Sequence, residues 1–230
     1  MKIGIVGSGN VGRSLGVLWA EHGHDVFFGS RDVEHARAAA AYARDAPFGS
    51  NAEAARFGEA VLWTLQSVPA SEAIGDPELL AGKVVIDPTN GPTREDARLG
   101  PAQDEPSLAE RLALELPQAR VVKAFNTLPI EIHELSPTPL RDFAVSVFLA
   151  GDDAEAKAIV SRLALKIGYF PVDCGGLKAA RMLEGLADFT RYVARETGQG
   201  PYAALSLYAL PEAKSRRLGG RTPSEPEKTA

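Results

Sequence analysis

Six consecutive residues, Gly7-Ser8-Gly9-Asn10-Val11-Gly12, constrain this chain more than any other feature. They follow the apolar run Lys2–Val6 directly. Beyond them Val11, Leu15, Leu18 and Trp19 recur at i, i+4, i+7 and i+8. A strand, a glycine turn and an amphipathic helix in immediate succession open a parallel crossover. Gly7 allows the tight turn, Gly9 lets backbone approach a pyrophosphate, and Gly12 lets the helix pack close to the strand. The amides at the helix N-terminus, with the helix dipole behind them, then form an anion site. The plainer alternative is a glycine turn that serves only to make the crossover compact.

The alternation continues along the chain. Further strands are expected at Asp25–Gly29, 47–50, 60–65, 83–87, 120–124, 143–150 and 169–172. Helices are expected over 32–44, up to residue 57, from 69 to 80, and over 108–116, 154–167 and 176–196. Gly23 stops the first helix, and Ser107 with Glu110 three residues on forms a capping box. Near-continuous apolar strands separated by helices predict an α/β fold, a doubly wound Rossmann-type parallel sheet with a small C-terminal helical part. Residues 1–173 are expected to form the nucleotide-binding domain and 174–212 the helical part. Residues 91–106 read as a long surface loop, and 213–230 as a disordered tail.

Charge excludes some partners. There are 25 Lys and Arg against 30 Asp and Glu, a net charge of −5, and the basic residues are scattered. A nucleic-acid partner is therefore not expected. The one cysteine, Cys174, forms neither an internal disulfide nor a Cys-rich zinc site. His22 and His24 flank Gly23 at a helix end, where capping or solvent contact is the expected role, so no metal is expected. No apolar run approaches the ~18–20 residues that span a bilayer, and the opening strand leaves no room for a signal peptide. The expectation is a cytoplasmic protein with no membrane partner.

The end of the second strand selects the nucleotide. An NAD site usually carries Asp or Glu there, against the ribose hydroxyls. This chain reads Gly29-Ser30-Arg31. Ser30 offers a hydrogen bond and Arg31 a planar, always-charged fork, both suited to a 2′-phosphate. The cofactor expected is NADP. Asp32 becomes the acid only if the strand ends one or two residues later, and the plainer role for Arg31 is a surface cation.

Several segments together resemble one family. They are Gly7–Gly12, Gly29–Arg31, Ser67-Val68-Pro69, Lys123-Ala124-Phe125-Asn126-Thr127, Ala150–Asp153, and the segment 171–176 running on to Arg181. The chain is similar over residues 1–196 to the NADP oxidoreductases that use the deazaflavin coenzyme F-420, and to the related cytosolic domain of transmembrane ferric reductases. The resemblance implies hydride transfer between NADPH and a second ring, coenzyme F-420 or a flavin (FMN or FAD). It implies that Ser8, Asn10 and Val11 line the pyrophosphate and that Ser30 and Arg31 hold the 2′-phosphate. Ser67, Val68 and Pro69 would lie along the ribose and nicotinamide, with Ala124 and Asn126 beside the nicotinamide. Thr127, Leu128 and Arg181 would face the second ring or its phosphate tail. The chain departs from the archaeal deazaflavin enzymes at Asn126, where they carry His; Phe-Asn-Thr is closer to the ferric-reductase branch.

Transfer between stacked rings needs positioning more than side-chain acid or base, and no catalytic side chain is assigned. Lys123, its head reaching the surface at a strand end, is weighed as a catalytic group and set aside. Cys174 is read either as a thiol of lowered pKa or as a small core residue. Asp87 and Asn90 either support a ligand from behind or serve as turn residues. One rival function is a reductase of a small imine or 3-hydroxyacid substrate. Hydroxyacid dehydrogenases of this type carry a catalytic Lys about where Arg181 stands, and arginine holds its proton too tightly for that role. The other is a non-catalytic NADPH-binding regulator. An apolar stripe of Met182, Leu186, Phe189 and Val193, with little chain to cover it, predicts a homodimer.

Overall fold

In the computed structural model, which describes residues 1–44, 46–66, 68–91 and 105–209, the chain opens with β1 (Lys2–Val6), α1 (Asn10–Glu21) and β2 (Asp25–Gly29). There follow α2 (Val33–Ala41), β3 (Phe48–Gly49), α3 (Asn51–Phe57), β4 (Ala60–Trp63), α4 (Ala70–Ile74) and β5 (Val84–Asp87). Then come α5 (Leu108–Glu115) and β6 (Arg120–Lys123). These strands pair in parallel in the order β3-β2-β1-β4-β5-β6. The order reverses between β1 and β4, and sheets of this kind bind ligands beyond the carboxyl ends of the strands at such a reversal.

The remainder comprises α6 (Ile130–His133), α7 (Pro137–Asp142), β7 (Ser146–Leu149), α8 (Ala154–Lys166), β8 (Phe170–Asp173) and α9 (Ala180–Glu196). β7 and β8 pair in parallel. Ala150, just after β7, exchanges two backbone hydrogen bonds with Lys123, 2.8 and 3.1 Å, in the antiparallel sense. The doubly wound α/β fold is present, with an antiparallel step at its edge to a further strand pair. No helix among the described residues is long and apolar enough to cross a membrane.

Side chains alternate across each strand, so the sheet feeds two cores. Ile3, Ile5, Leu62, Ile86 and Val122 join α1, α2 and α8 on one face. Val6, Val61, Trp63, Val85 and Val121 face α3, α5 and the start of α9. The same alternation puts Lys123 in the second row, and the parallel register pairs it with Asp87. Backbone geometry alone thus sets two charged residues side by side on a buried sheet face.

Several element bounds differ from expectation, each for a local reason. β4 stops at Trp63 because the Thr64 hydroxyl turns back onto the carbonyls of Val6 (3.2 Å) and Gly7 (2.6 Å). The helix expected over 69–80 is broken: Gly75, at φ +78°, ends α4, and Asp76 caps a separate 3₁₀ turn, Pro77–Leu80. Asp76 precedes a proline, which disfavours helical backbone there. The strand expected from 143 begins at Ser146, after Ala144 adopts a left-handed φ of 47°. α6 and α7, interrupted by Pro137 and Pro139, leave no periodic trace. Most of the expected loop 91–106, and the whole expected tail, lie outside the described residues.

α9 buries Ala180, Leu183, Glu184, Ala187 and Thr190. Of the expected stripe, Met182 (76%) and Phe189 (40%) are exposed, whereas Val193 is half-buried and Leu186 packs partly buried against the core on the α3 and α5 side of the sheet.

Gly4 marks the closest approach of helix to sheet. A Cβ there would overlap the Ala54 carbonyl oxygen of α3, a backbone atom that moves only with its helix. We expect Gly4→Ala to lower the unfolding free energy by about 1–3 kcal/mol, measured as a reduced urea midpoint with unchanged slope. An unaltered midpoint would show that α3 yields freely.

Candidate functional site

Gly7 holds a left-handed φ of +95°, and a Cβ on it would lie 2.5 Å from the Thr64 hydroxyl. Its N–H is shared between the Gly29 carbonyl and Asn51 Oδ1, both at 3.1 Å. At Gly12 a Cβ would overlap the Gly7 carbonyl, so α1 and the turn touch backbone to backbone. Around Gly9, by contrast, nothing lies within 4 Å of where a Cβ would stand. Gly9 is also the N-cap of α1, with no side-chain cap and no acidic residue in the first turn. The helix end is therefore open, positive and free of competing side-chain acceptors, which is what an anion needs.

Gly7, Ser8 and Gly9 line a cavity of about 510 Å³ together with Ser30, Arg31, Asn51 and Val68. The Ser8 hydroxyl donates to the Gly29 carbonyl at 2.8 Å. β2 ends at Gly29, as expected, so Ser30 and Arg31 stand at the strand end. Asp32 does not take the strand-end position: it caps α2, accepting from the Glu34 N–H at 3.0 Å. Arg31 is exposed, and its guanidinium forms no ion pair among the described residues.

The other end of the groove lies at the tip of β6. A cavity of about 490 Å³ is lined there by Val11, Asn90, Asn126, Thr127 and Leu128, and across from them by Thr190 and Arg191 of α9. Phe125 produces the bend, at a left-handed φ of 66° rare for a residue with a side chain. Its buried ring is held edge-on by Trp19 at 5.8 Å and by His133 and Tyr169, both at 6.2 Å. The bend brings Asn126 onto Asn90. Asn90 Nδ2 donates to the Asn126 backbone carbonyl at 2.7 Å. Asn126 Nδ2 donates to Asn90 Oδ1 and to the Leu183 carbonyl of α9, both at 2.9 Å. Asn126 Oδ1 is buried with no partner among the described residues.

Lys123 lies behind this pair, fully buried, so the expectation that its head reaches the surface is corrected. Its ammonium donates to Asp87 Oδ2 (3.0 Å), to Glu184 Oε1 of α9 (2.8 Å) and to the Thr89 carbonyl. Asp87 Oδ1 accepts from the N–H (2.8 Å) and hydroxyl (2.6 Å) of Thr89. Asp87 thus shapes the turn that carries Asn90, and Asn90 also lines the cavity. The register of β5 against β6 supplies this cluster, which residue spacing alone does not reveal.

The remaining candidates fall in different places. Val68 and Pro69 line a cavity of about 240 Å³ with Gln66, which also borders the 490 Å³ cavity; Ser67 lies outside the described residues. Ala124 is fully buried, its N–H donating to the Asp87 carbonyl at 3.1 Å. Arg181 lines none of these cavities and forms a fork on Glu110 of α5, with both contacts at 2.8 Å. That guanidinium, with the Ser107 bonds, holds the Glu110 carboxyl down to about 2. At Cys174, half-buried, desolvation pushes the thiol up, opposite to the lowered pKa weighed from sequence. Gln66, Pro88, Thr190, Arg191 and Arg195 line the far cavity without having been singled out. For the arginines the only advance signal was their i, i+4 spacing.

The chain is similar to several known proteins. The family described as NADP oxidoreductase coenzyme F420-dependent matches residues 2–91. The F420-dependent NADP reductase of Methanothermobacter marburgensis is 34% identical over 207 residues, covering 80% of this chain and 88% of that protein. The metalloreductase STEAP3 of Rattus norvegicus is 35% identical over 185 residues, 80% of this chain but 36% of that protein. The chain thus spans about a third of the length of the metalloreductases it matches. A crystal structure from Arthrobacter sp. FB24, described as a candidate F420-dependent NADP-reductase, superposes with a TM-score of 0.74 at 28% identity. That match covers 91% of this chain and 100% of the other.

His133, behind Phe125, is the group from which an acid-dependent loss of stability is expected. Its Nδ1 lies 2.8 Å from the Tyr169 hydroxyl, and burial pulls its pKa down to about 4 while raising that of the phenol. The unfolded chain titrates near 6.5. A depressed pKa favours the folded state fully above 6.5, and this contribution is lost as pH falls from 6.5 towards 4. We expect stability to decline over that interval and His133→Phe to flatten the decline, as measured by urea midpoints at stepped pH. An equally steep decline in the variant would assign the acid sensitivity to other groups.

Proposed function

The chain belongs to the F420-dependent NADP reductase family, and from that premise we propose that it passes a hydride between NADP(H) and a ring of deazaflavin or flavin type. The observation that carries this reading is the run of fitting groups from one end of the groove to the other. The exposed Arg31 guanidinium with Ser30 suits a 2′-phosphate. The uncapped N-terminus of α1, open at Gly9, suits a pyrophosphate, with Ser8, Asn10 and Val11 around it. Val68 and Pro69 then flank the ribose, and Asn126 and Thr127 the nicotinamide.

When bound, NADPH supplies the hydride from its nicotinamide ring. The protein's share is to hold that ring at a fixed height and face, and to keep water from it. Asn90, Asn126 and Thr127 suit this task, since amides and a hydroxyl orient a ring without exchanging protons at neutral pH. α9 supplies the opposite wall through Thr190 and Arg191, against which a second ring would stack. Arg181, engaged by Glu110, braces α9 on α5 in this reading and does not touch the second ring. A second copy of the chain covers the exposed Met182 and Phe189 of α9, making a homodimer.

Three measurements test the proposal. Anaerobic NADPH oxidation should proceed with coenzyme F420 as acceptor. Turnover with FMN or FAD alone would assign the flavin instead, and no turnover with any of these rings would overturn the reading. Arg31→Ala should raise KM for NADPH by about ten- to a hundredfold, the loss of a charge-assisted hydrogen bond, while KM for NADH stays unchanged; a parallel rise for both would remove Arg31 from the 2′-phosphate. Sedimentation at micromolar concentration should give a dimer that Phe189→Glu converts to monomer, and a monomeric parent protein would refute the interface.

A further inference from the structure

Asn126 is 4% exposed, and both of its side-chain donor bonds go to groups that only accept in that geometry, Asn90 Oδ1 and the Leu183 carbonyl. Those two contacts settle which end of the amide is nitrogen. The other end, Oδ1, is a buried acceptor without a partner. Such an atom forfeits about 1–3 kcal/mol unless something donates to it, and a native structure that keeps one usually uses it. Solvent does not touch it here, so the donor arrives with a ligand that displaces what covers Oδ1 and leaves the Asn90 and Leu183 contacts in place. Asn126 lines the cavity at the nicotinamide end of the groove, and the nicotinamide carries a carboxamide whose N–H₂ is such a donor.

We propose that Asn126 Oδ1 accepts a hydrogen bond from the nicotinamide carboxamide, and that Asn90 is the positioning residue that holds it there. The inference rests on the NADP reading above. Asn90 grips Asn126 twice, by its side chain and by its backbone carbonyl, so the amide neither flips nor slides along the strand end. Asn90 is itself seated by Thr89, whose carbonyl accepts from Lys123 and whose N–H and hydroxyl donate to Asp87. The chain of contacts ends on α9, where Glu184 binds Lys123 and the neighbouring Leu183 carbonyl binds Asn126. The helix that forms the second ring's wall therefore also anchors the atom that orients the first ring. A carboxamide pinned at one acceptor presents one face of its ring to that wall.

The test reads binding of oxidised dinucleotides, so it does not depend on the identity of the hydride acceptor. Calorimetry would compare NADP⁺ with its 3-acetylpyridine analogue, in which a methyl replaces the carboxamide N–H₂ and the carbonyl is retained. The wild-type chain should bind NADP⁺ about tenfold or more tightly than the analogue. Asn126→Ala and Asn90→Ala should each erase that ratio, with affinity for the analogue nearly unchanged; a merely structural role would weaken both ligands together. Where Asn90→Ala does not fold, Asn90→Ser carries the same readout, and the wild-type comparison needs no variant at all. An equal affinity of the wild-type chain for the two dinucleotides would overturn the proposal and leave the NADP reading standing. A ratio that survives in either variant would overturn it as well, and failure to bind either dinucleotide would remove both.

Discussion

A single buried ammonium decides where the last helix sits. Lys123 meets Asp87 from the neighbouring strand and Glu184 from α9, all three nearly inaccessible to water. A buried ion pair is a poor source of net stability, since desolvation offsets most of the attraction. It is a strong constraint on placement, because removing any partner leaves a charge with nothing to compensate it. α9 needs such a constraint: the face it buries is largely Ala180, Ala187 and Thr190, small groups that pack against many surfaces equally well. Leu183 and the half-buried Leu186 add large apolar contacts, and Glu184 adds the address. Its carboxylate also accepts from the Leu108 N–H at 2.9 Å, so α5 and α9 are set on the sheet by the same group.

The two ends of the groove are built by different physics. At the glycine turn the functional groups are backbone amides, and what matters is the lack of side chains: no Cβ at Gly9, no cap on α1 and no acid in its first turn. Such a site is written directly in residue types. At the tip of β6 the functional groups are side-chain amides, placed by contacts reaching from residue 87 to residue 184. That end exists only once the chain is folded.

This difference explains what could be read in advance. β1, the turn, α1 and the end of β2 were legible because local periodicity and glycine chemistry determine them, as was the capping box at Ser107 and Glu110. Lys123 was not. A lysine in an apolar strand reads as a strand end reaching solvent, and only the register of β5 against β6 reveals Asp87 beside it, with Glu184 still 61 residues further on. The lining face of α9 was hidden for a related reason. Hydropathy draws attention to Met182 and Phe189, yet the helix turns those outward and presents Thr190 and Arg191 to the cavity. Arg181, which the resemblance sets facing the second ring or its phosphate tail, makes its fork on Glu110, a residue already visible as a cap.

The strained backbone at Phe125 ties these parts together. β6 pairs with β5 on one side and meets Ala150 on the other through Lys123, so the strand cannot bend before that residue. It must nevertheless bring Asn126, three residues later, back over Asn90 at the end of β5. A left-handed residue immediately after Ala124 makes that turn within the space available, at a cost of about 1–3 kcal/mol for a side chain in such a region. The cost is borne because the Phe125 ring drops into a slot closed by the edges of Trp19, His133 and Tyr169. Glycine at this position would relieve the backbone and empty the slot. The bend, the aromatic slot and the amide pair are therefore one arrangement: the apolar core absorbs the strain, and the strain presents the amide.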